Sequence, residues 1–454
     1  MVNRKRYILL TLALALAIGL QAQDYLRMTE RDLQGTARYV GMGGAMTAIG
    51  GDPSAVHVNP AGLGLYQRLE VMLTLDEGID RTRQIGVNTI GKANRLSVAQ
   101  ASVVWAIGTN NADGILFHNI MFSYQRLRTF NRSFYGQSAG DPSLGAVMAA
   151  NNIALDIPYP SEPLNVTNDL LLDEYGRSQA FGMHWAMNIN HQWYVGAGLK
   201  VLSYSLSGKG DYEEHFATTN VEGLTHALRN ETSLSLSGAG VNGSIGVIYR
   251  PIQWVRLGAS FETPSYGSLF VNATGTLTTR LDSLRSSKSP YVSAPYRNFH
   301  MPLRTSVSAA LQIYDKAMIA VQYDYSHQQD QFDTHSIRAG LEIVPVAGLY
   351  INAGYTYELM RDRTRKAGYT ERPFAIDPVF DRQDTYFNYP QYGHYASAGI
   401  GYRGTHAMVQ VAYQYHWQKM HLYAHENMIQ NPYTIHAETH RIVLTVGWHS
   451  TWYR

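Results

Sequence analysis

Four groups of residues have types and spacings that could do chemistry. Gly136-Gln137-Ser138-Ala139-Gly140 matches G-x-S-x-G, the pattern that lifts a nucleophilic serine onto a sharp turn. That chemistry needs a strand running into a helix beneath an α/β sheet. Ser138 stands in a long polar stretch without such flanks, so the chain is not expected to be an enzyme. Gly41-Met42-Gly43-Gly44-Ala45-Met46 lacks the third glycine of a dinucleotide fingerprint, and there is no P-loop. The chain has 17 histidines, which could ligate haem or a metal, and His421 and His425 stand at i,i+4. Neither cysteine nor a dense His/carboxylate motif accompanies them. No cofactor or metal is therefore expected, and the histidines read more plainly as loop or interface residues beside Tyr and Trp. The fourth group is cationic. Lys200, Arg256 and Arg338 fall on the polar faces of alternating segments. Each could hold a carboxylate head, or could instead pair with acids such as Glu342 and Glu358, since buried charges need partners.

The elements that must carry these residues have a period of two. In VQVAYQYHW, Val409, Val411, Tyr413, Tyr415 and Trp417 share one face, while Gln410, Ala412, Gln414 and His416 share the other. Similar patterns run through Met318–Tyr325, Leu349–Glu358 and Ser336–Ile343. Each run is about ten residues long, the length of a tilted strand crossing a bilayer, and its apolar rows end in aromatics. Fourteen such strands are expected, near 68–77, 96–107, 115–126, 179–189, 193–205, 235–249, 253–264, 302–313, 316–327, 334–344, 347–358, 392–403, 405–418 and 438–449. Links of a few residues, as at Asn190–Gln192 and Tyr314–Lys316, alternate with long ones such as Leu127–Ser178 and Thr263–Met301. Short turns on one rim and long loops on the other fit an outer-membrane barrel with its short turns in the periplasm. One further run, Ser268–Asp282, would make the count odd and is assigned to an extracellular hairpin extension. The fold class is thus all-β: a fourteen-stranded antiparallel transmembrane barrel.

Composition agrees. A net charge of +2 offers no field for nucleic acid. With 32 tyrosines, 40 glycines and only 16% charged residues, the chain suits β-structure at a lipid boundary. The absence of cysteine removes disulfides and thiol chemistry. Arg4-Lys5-Arg6, the apolar Tyr7–Leu20 and Gln21–Gln23 read as a signal peptide over residues 1–23. The protein is therefore expected in the outer membrane of a Gram-negative bacterium. Its last strand, rich in aromatics up to Trp452-Tyr453, is of the kind read by barrel-assembly machinery.

Residues 24–62 have no place in a wall. They are rich in Gly and Ala, which let a backbone pack closely against its surroundings. A barrel of fourteen strands is too wide for wall side chains alone to fill, so this segment is expected to plug it, leaving residues 63–454 as the barrel. The stretch GMGGAMTAIGGDPSAVHVNPAGL resembles the N-terminal hatch of the FadL-type long-chain fatty acid transporters, and GTARYVGMGGA is similar to the branch found in Bacteroidetes-type bacteria. The matching positions are Gly43, Gly44, Ala45 and Ala48, then Asp52 and Ser54, then Asn59, Pro60, Ala61 and Gly62.

The resemblance implies passive uptake of a hydrophobic small molecule, probably fatty-acid-like, across a membrane of outer-leaflet lipid and lipopolysaccharide. It also implies hatch movement and a kinked third strand as a lateral exit. Here the third strand, Gly114–Leu127, has no internal Gly or Pro to kink it. Transport predicts an apolar cavity of Met, Phe, Leu and Tyr beside the hatch. A surface binding or scaffold barrel, of secretion or haem-receptor type, predicts a filled lumen.

Overall fold

The computed structural model describes residues 30–109, 111–139, 163–218, 225–281, 284–288, 291–299, 301–327, 332–362, 387–423 and 433–450. Alternation sets the strands: β1 (Glu70–Gln84), β2 (Ile90–Gly108), β3 (Ile115–Thr129), β4 (Arg132–Ala139), β5 (Pro163–Ile189), β6 (Trp193–Thr218), β7 (Thr225–Ile252), β8 (Val255–Glu262), β9 (Tyr266–Leu281), β10 (Leu284–Lys288), β11 (Tyr291–Phe299), β12 (Leu303–Ile313), β13 (Ala317–His327), β14 (Phe332–Ile343), β15 (Leu349–Asp362), β16 (Phe387–Arg403), β17 (Ala407–Tyr423) and β18 (Tyr433–His449). Antiparallel pairing runs β1-β2-β3-β5-β6-β7-β8-β12-β13-β14-β15-β16-β17-β18. It closes with β18 on β1, from Glu70 opposite His449 to Gln84 opposite Ile435. The wall is a closed barrel of fourteen strands, as the alternation predicts.

The other four strands extend the wall at one rim. β4 continues β3 along β5, and β9 continues β8 along β7 with β10 and β11 returning on it. The run assigned to a hairpin extension, Ser268–Asp282, is β9 through Leu281. Much of what reads as long loop is therefore strand. The physical reason is a reversal of polarity along single strands. In β6, Leu199 and Val201 face outward, 59% and 47% exposed, opposite an inward Lys200. Two residues on, Leu202, Tyr204 and Leu206 are buried inside, and farther along Lys209 and His215 are exposed outside. The lower wall is apolar outside and the extension apolar inside, which places the change of solvent near Val201.

Short turns cluster on the opposite rim, at Asn190–Gln192, Gln253–Trp254, Tyr314–Lys316, Val344–Gly348 and Gly404–His406. The β7–β8 turn falls two residues later than alternation suggests, because β7 carries its pairing through Ile252. The outward belt includes Ile245, Val307, Val321, Ile337, Val411 and Ile442, each at least 40% exposed. An apolar surface continuous around the ring exceeds what a water-soluble protein exposes, so this belt meets lipid. No helix among the described residues is long and apolar enough to cross a membrane, which says nothing of crossing by strands.

Candidate functional site

Residues 30–66 run inside the ring, and nearly all from Leu33 to Tyr66 are buried. Local chemistry shapes this inner segment. Thr36 caps helix α1 (Ala37–Gly41), its hydroxyl accepting from the Tyr39 N–H at 3.2 Å. Asp52 caps helix α2 (Pro53–Val58), accepting from the N–H of Ser54 at 2.8 Å and of Ala55 at 3.3 Å. The other Asp52 oxygen accepts from Thr36 Oγ1 at 2.6 Å, and Ser54 Oγ accepts from the Thr36 N–H at 2.9 Å. Both helix starts are therefore locked together. Gly43 and Gly44 turn the chain after α1 with φ of +61° and +73°, and Ala45 is fully buried behind them. Asn59 accepts from the Ala61 N–H at 3.1 Å and donates to the Thr47 carbonyl at 2.8 Å. It opens a 3₁₀ helix (Pro60–Leu65) in which Gly62 lies against Gly50, and the chain then enters β1.

The wall is cut to receive this backbone. A Cβ at Gly354 of β15 would overlap Met42 and Gly43, and one at Gly258 of β8 would lie 2.6 Å from the Thr47 carbonyl oxygen. Side chains from around the ring meet the segment's backbone. Thr445 Oγ1 accepts from the Ala37 N–H at 2.8 Å, and Gln322 Oε1 accepts from the Thr47 N–H at 3.0 Å. Thr356 Oγ1 donates to the Gly43 carbonyl at 2.7 Å, and Asn119 Nδ2 donates to the carbonyls of Leu63 and Tyr66 at 2.7 and 2.8 Å. Arg38 makes a two-point pair with Glu342 of β14, both contacts at 2.7 Å. Alternating small and polar inward residues thus satisfy a buried, irregular backbone that water cannot reach.

Beside this segment lies a cavity of about 140 Å³, bordered by Arg31, Lys200, Glu262, Arg304, Arg338 and Glu358 among others. Lys200 Nζ stands 2.6 Å from Glu262 Oε2 and donates to the His57 carbonyl at 2.9 Å. Glu262 also accepts from Arg31 Nη1 at 3.0 Å and from Asn242 Nδ2 at 2.5 Å. Arg338 Nε is 2.6 Å from Asp324 Oδ2, and its Nη1 donates to the Tyr39 hydroxyl at 3.1 Å. Two of the three candidate cations therefore reach one cavity, and both are already paired. Arg256 lies away from it, donating to the Ile49 carbonyl at 3.2 Å and to Gln312 Oε1 at 2.8 Å. Of the acids weighed as partners, Glu342 belongs to Arg38, while Glu358 accepts from Ser336 Oγ at 3.3 Å.

Burial first, then His184, Lys200 and Arg31, hold the His57 imidazole well below its ordinary pKa. Asp32 shows the reverse balance: burial pushes its carboxyl up, but Arg128 and Arg441 outweigh burial and hold it below the usual range.

The lining is mixed: ion-paired side chains alternate with Tyr39, Tyr325, Tyr392, Tyr395, Leu127 and Met360, so the Met, Leu and Tyr expected beside the inner segment are present, without Phe and interrupted by charge. Apolar side chains gather farther toward the extended rim, where Leu127, Phe130, Leu202, Leu206, Leu236 and Met301 pack together. Sequence reasoning missed Arg31, Glu262, Arg126 and Arg304. Inward parity could have found Glu262, Arg126 and Arg304, whereas Arg31 lies on irregular backbone that has no parity.

The wall is also incomplete at one place. β2 pairs with β3 only from Gln100 to Gly108, and no pairing to β3 or β4 is seen for its Ile90–Ala99 stretch among the described residues. β3 leaves β2 after Gln125, shifts register against β5 between Arg126 and Arg128, and resumes as β4. A Cβ at Gly91 would overlap the Ser133 backbone, so β4 passes inside β2. No Gly or Pro is needed for this bend. Buried Arg126 bridges the seam, reaching Asp76 of β1, Ser97 of β2 and, at 2.6 Å, Gln34 Oε1 of the inner segment. Asn119 lies within regular pairing, opposite Ala106 of β2 and Ala186 of β5.

The remaining motifs disperse. Ser138 lies on β4 opposite Asn168, and Gly140 is outside the described residues. His416 borders the cavity, stacked on Tyr395 with ring centroids 4.0 Å apart. His394 and His440 share the lipid-facing parity of Ile400 and Ile442. His425 is outside the described residues, as are residues 1–29.

No family model matches the chain, and no curated protein matches it. Solved structures do. A Pseudomonas aeruginosa FadL homologue is 12% identical over 94% of this chain and 100% of its own, with a TM-score of 0.55. The Pseudomonas putida toluene transporter TodX is 14% identical over 93% and 100%, with a TM-score of 0.54. The Ralstonia pickettii toluene transporter TbuX is 14% identical over the same shares, with a TM-score of 0.51. At these identities the likeness is one of fold, the closed fourteen-stranded barrel.

Proposed function

We propose that the chain is an outer-membrane protein for passive uptake of hydrophobic small molecules, with residues 24–62 as a plug and 63–454 as the barrel. One observation carries the reading. Inside the ring a segment is seated through hydrogen bonds, ion pairs and small-residue packing, which supports its reading as a plug, beside a wall left unpaired between β2 and β3. A solute that moves the segment gains a route to the seam, and the seam opens sideways into lipid. Fold-mates described as toluene transporters support the hydrophobic class.

The ligand we favour is amphipathic and fatty-acid-like. Its apolar body would displace or join the Leu127–Phe130–Leu202 cluster, gaining roughly 25 cal/mol per Å² buried. Its carboxylate would compete with Glu262 and Asp324 for Lys200 and Arg338. That competition loosens the plug, because Arg31, His57 and Tyr39 share the same contacts. The resting cavity is only about as large as one that holds a single aromatic ring, so a long chain enters only as the plug shifts. Arg256, Gly43, Gly44, Ala45, Asp52, Ser54, Asn59, Pro60, Ala61 and Gly62 then serve to seat the plug and not to bind ligand. The test is uptake of a fluorescent long-chain acid and of toluene by bacteria expressing the chain, with lipid extraction of the purified protein. Uptake no faster than in empty cells, with no co-purified hydrophobic molecule, would remove the proposal.

A further inference from the structure

On the outward face of β17, β18, β1 and β2, cations collect just beyond the apolar belt. Register places Lys419 opposite His436 and His436 opposite Arg83. One row lower, Trp417 faces Glu438, Glu438 faces Arg81, and Arg81 faces Lys92. Arg81, Arg83 and Lys92 are exposed and Lys419 is half-buried. Arg83 stands 3.9 Å from Glu438, whereas Arg81, Lys92 and Lys419 have no carboxylate within 4 Å among the described residues. Below these rows the same faces carry Glu77 beside Ile442 and then turn apolar through Leu444, Val411 and Leu73. The patch is therefore at the lipid boundary on the rim away from the short turns.

Four strands at about 4.8 Å span roughly 14 Å, and two rows add about 7 Å. Over that area four Lys and Arg side chains face one carboxylate. Self-repulsion of this kind is relieved by an anion, and a planar guanidinium matches a phosphate with two hydrogen bonds. Trp417, stacked with Tyr415 and His394 at this level, supplies the amphipathic rim that seats a headgroup above its acyl chains. We propose that this patch binds the phosphorylated glycolipid of the outer leaflet, with its phosphates on Arg81, Arg83, Lys92 and Lys419 and its acyl chains along the belt below. It is separate from the lumen and does not depend on what the barrel carries.

The test is native mass spectrometry of the full-length protein in detergent with bis-phosphorylated lipid A, dephosphorylated lipid A and phosphatidylglycerol. The expected result is retention of the bis-phosphorylated form at least tenfold above the other two. Arg81→Gln/Arg83→Gln/Lys92→Gln/Lys419→Gln should lose that preference while keeping the heat-modifiable migration of a folded barrel. Equal retention of the dephosphorylated lipid or of phosphatidylglycerol by the unaltered protein overturns the proposal without recourse to a variant. Undiminished preference in a folded quadruple variant overturns it as well. Absence of uptake by the unaltered protein, with its lipid preference present, would count against the transport reading alone.

Discussion

Replacing Glu262 by Gln tests whether the inner segment is held by charge. Glu262 is buried on β8 and accepts from Arg31 of the segment and from Lys200 and Asn242 of the wall. The amide keeps the shape but removes the charge, leaving Arg31 and Lys200 facing one another without a counter-ion. Breaking a buried pair by neutralising one partner typically costs about 3–5 kcal/mol. Most of that cost falls on seating the segment, because Arg31 belongs to it and Lys200 also holds the His57 carbonyl. The wall keeps its pairing of β8 to β7 and β12. At tenfold per 1.4 kcal/mol, the unseated population should rise by about 10²- to 10³-fold. Hydrogen exchange of the detergent-solubilised protein reads this directly: amides in residues 36–62 should exchange faster by that factor while those of β13–β17 hold. Glu213→Gln, at an exposed position on the extension, should change neither. Unchanged exchange in the segment of a folded Glu262→Gln protein, or equal acceleration in the wall, would refute the reasoning.

Three further outcomes follow from the same contacts. Gly354→Val drives a side chain into the backbone of Met42 and Gly43 and should raise single-channel conductance in planar bilayers; Gly243→Ala, whose Cβ would lie 3.8 Å from its nearest neighbour, should not. Arg126→Met removes the bridge among Asp76, Ser97 and Gln34 and should speed transfer of a hydrophobic probe from the lumen to the bilayer, measured by quenching with brominated lipid; no change would detach the seam from the route. Asp52→Ala should cost the segment about 1 kcal/mol through loss of the α2 cap, and Asp52→Asn markedly less because Asn still accepts from the Ser54 N–H; equal losses in exchange-derived stability would assign the effect to charge.

The fourteen wall strands were legible in the sequence because lipid imposes a local rule. Every outward residue over about ten positions must be apolar, so Ile319-Val321-Tyr323 or Val409-Val411-Tyr413 announces its face without knowledge of its neighbours. The Asp52 and Asn59 caps are also local, each acting on residues two or three along the chain, although these residues stood out in the sequence only as positions of the hatch resemblance. Of the extensions only the hairpin at Ser268–Asp282 was legible; the others were not, because beyond Val201 the polarity of the faces reverses and the apolar rows no longer mark the outside. Nor was the charge pairing. Lys200 and Glu262 are 62 residues apart and Arg31 and Glu262 are 231 apart, so only closure of the ring around the inner segment decides that they meet. The bend at β3 belongs to the same class: no residue type in Gly114–Leu127 demands it, and it comes from where β4 is drawn inward against β1 and β2. Periodicity decided which way each side chain points; the tertiary structure decided which charges share a low-dielectric interior and where the wall comes apart.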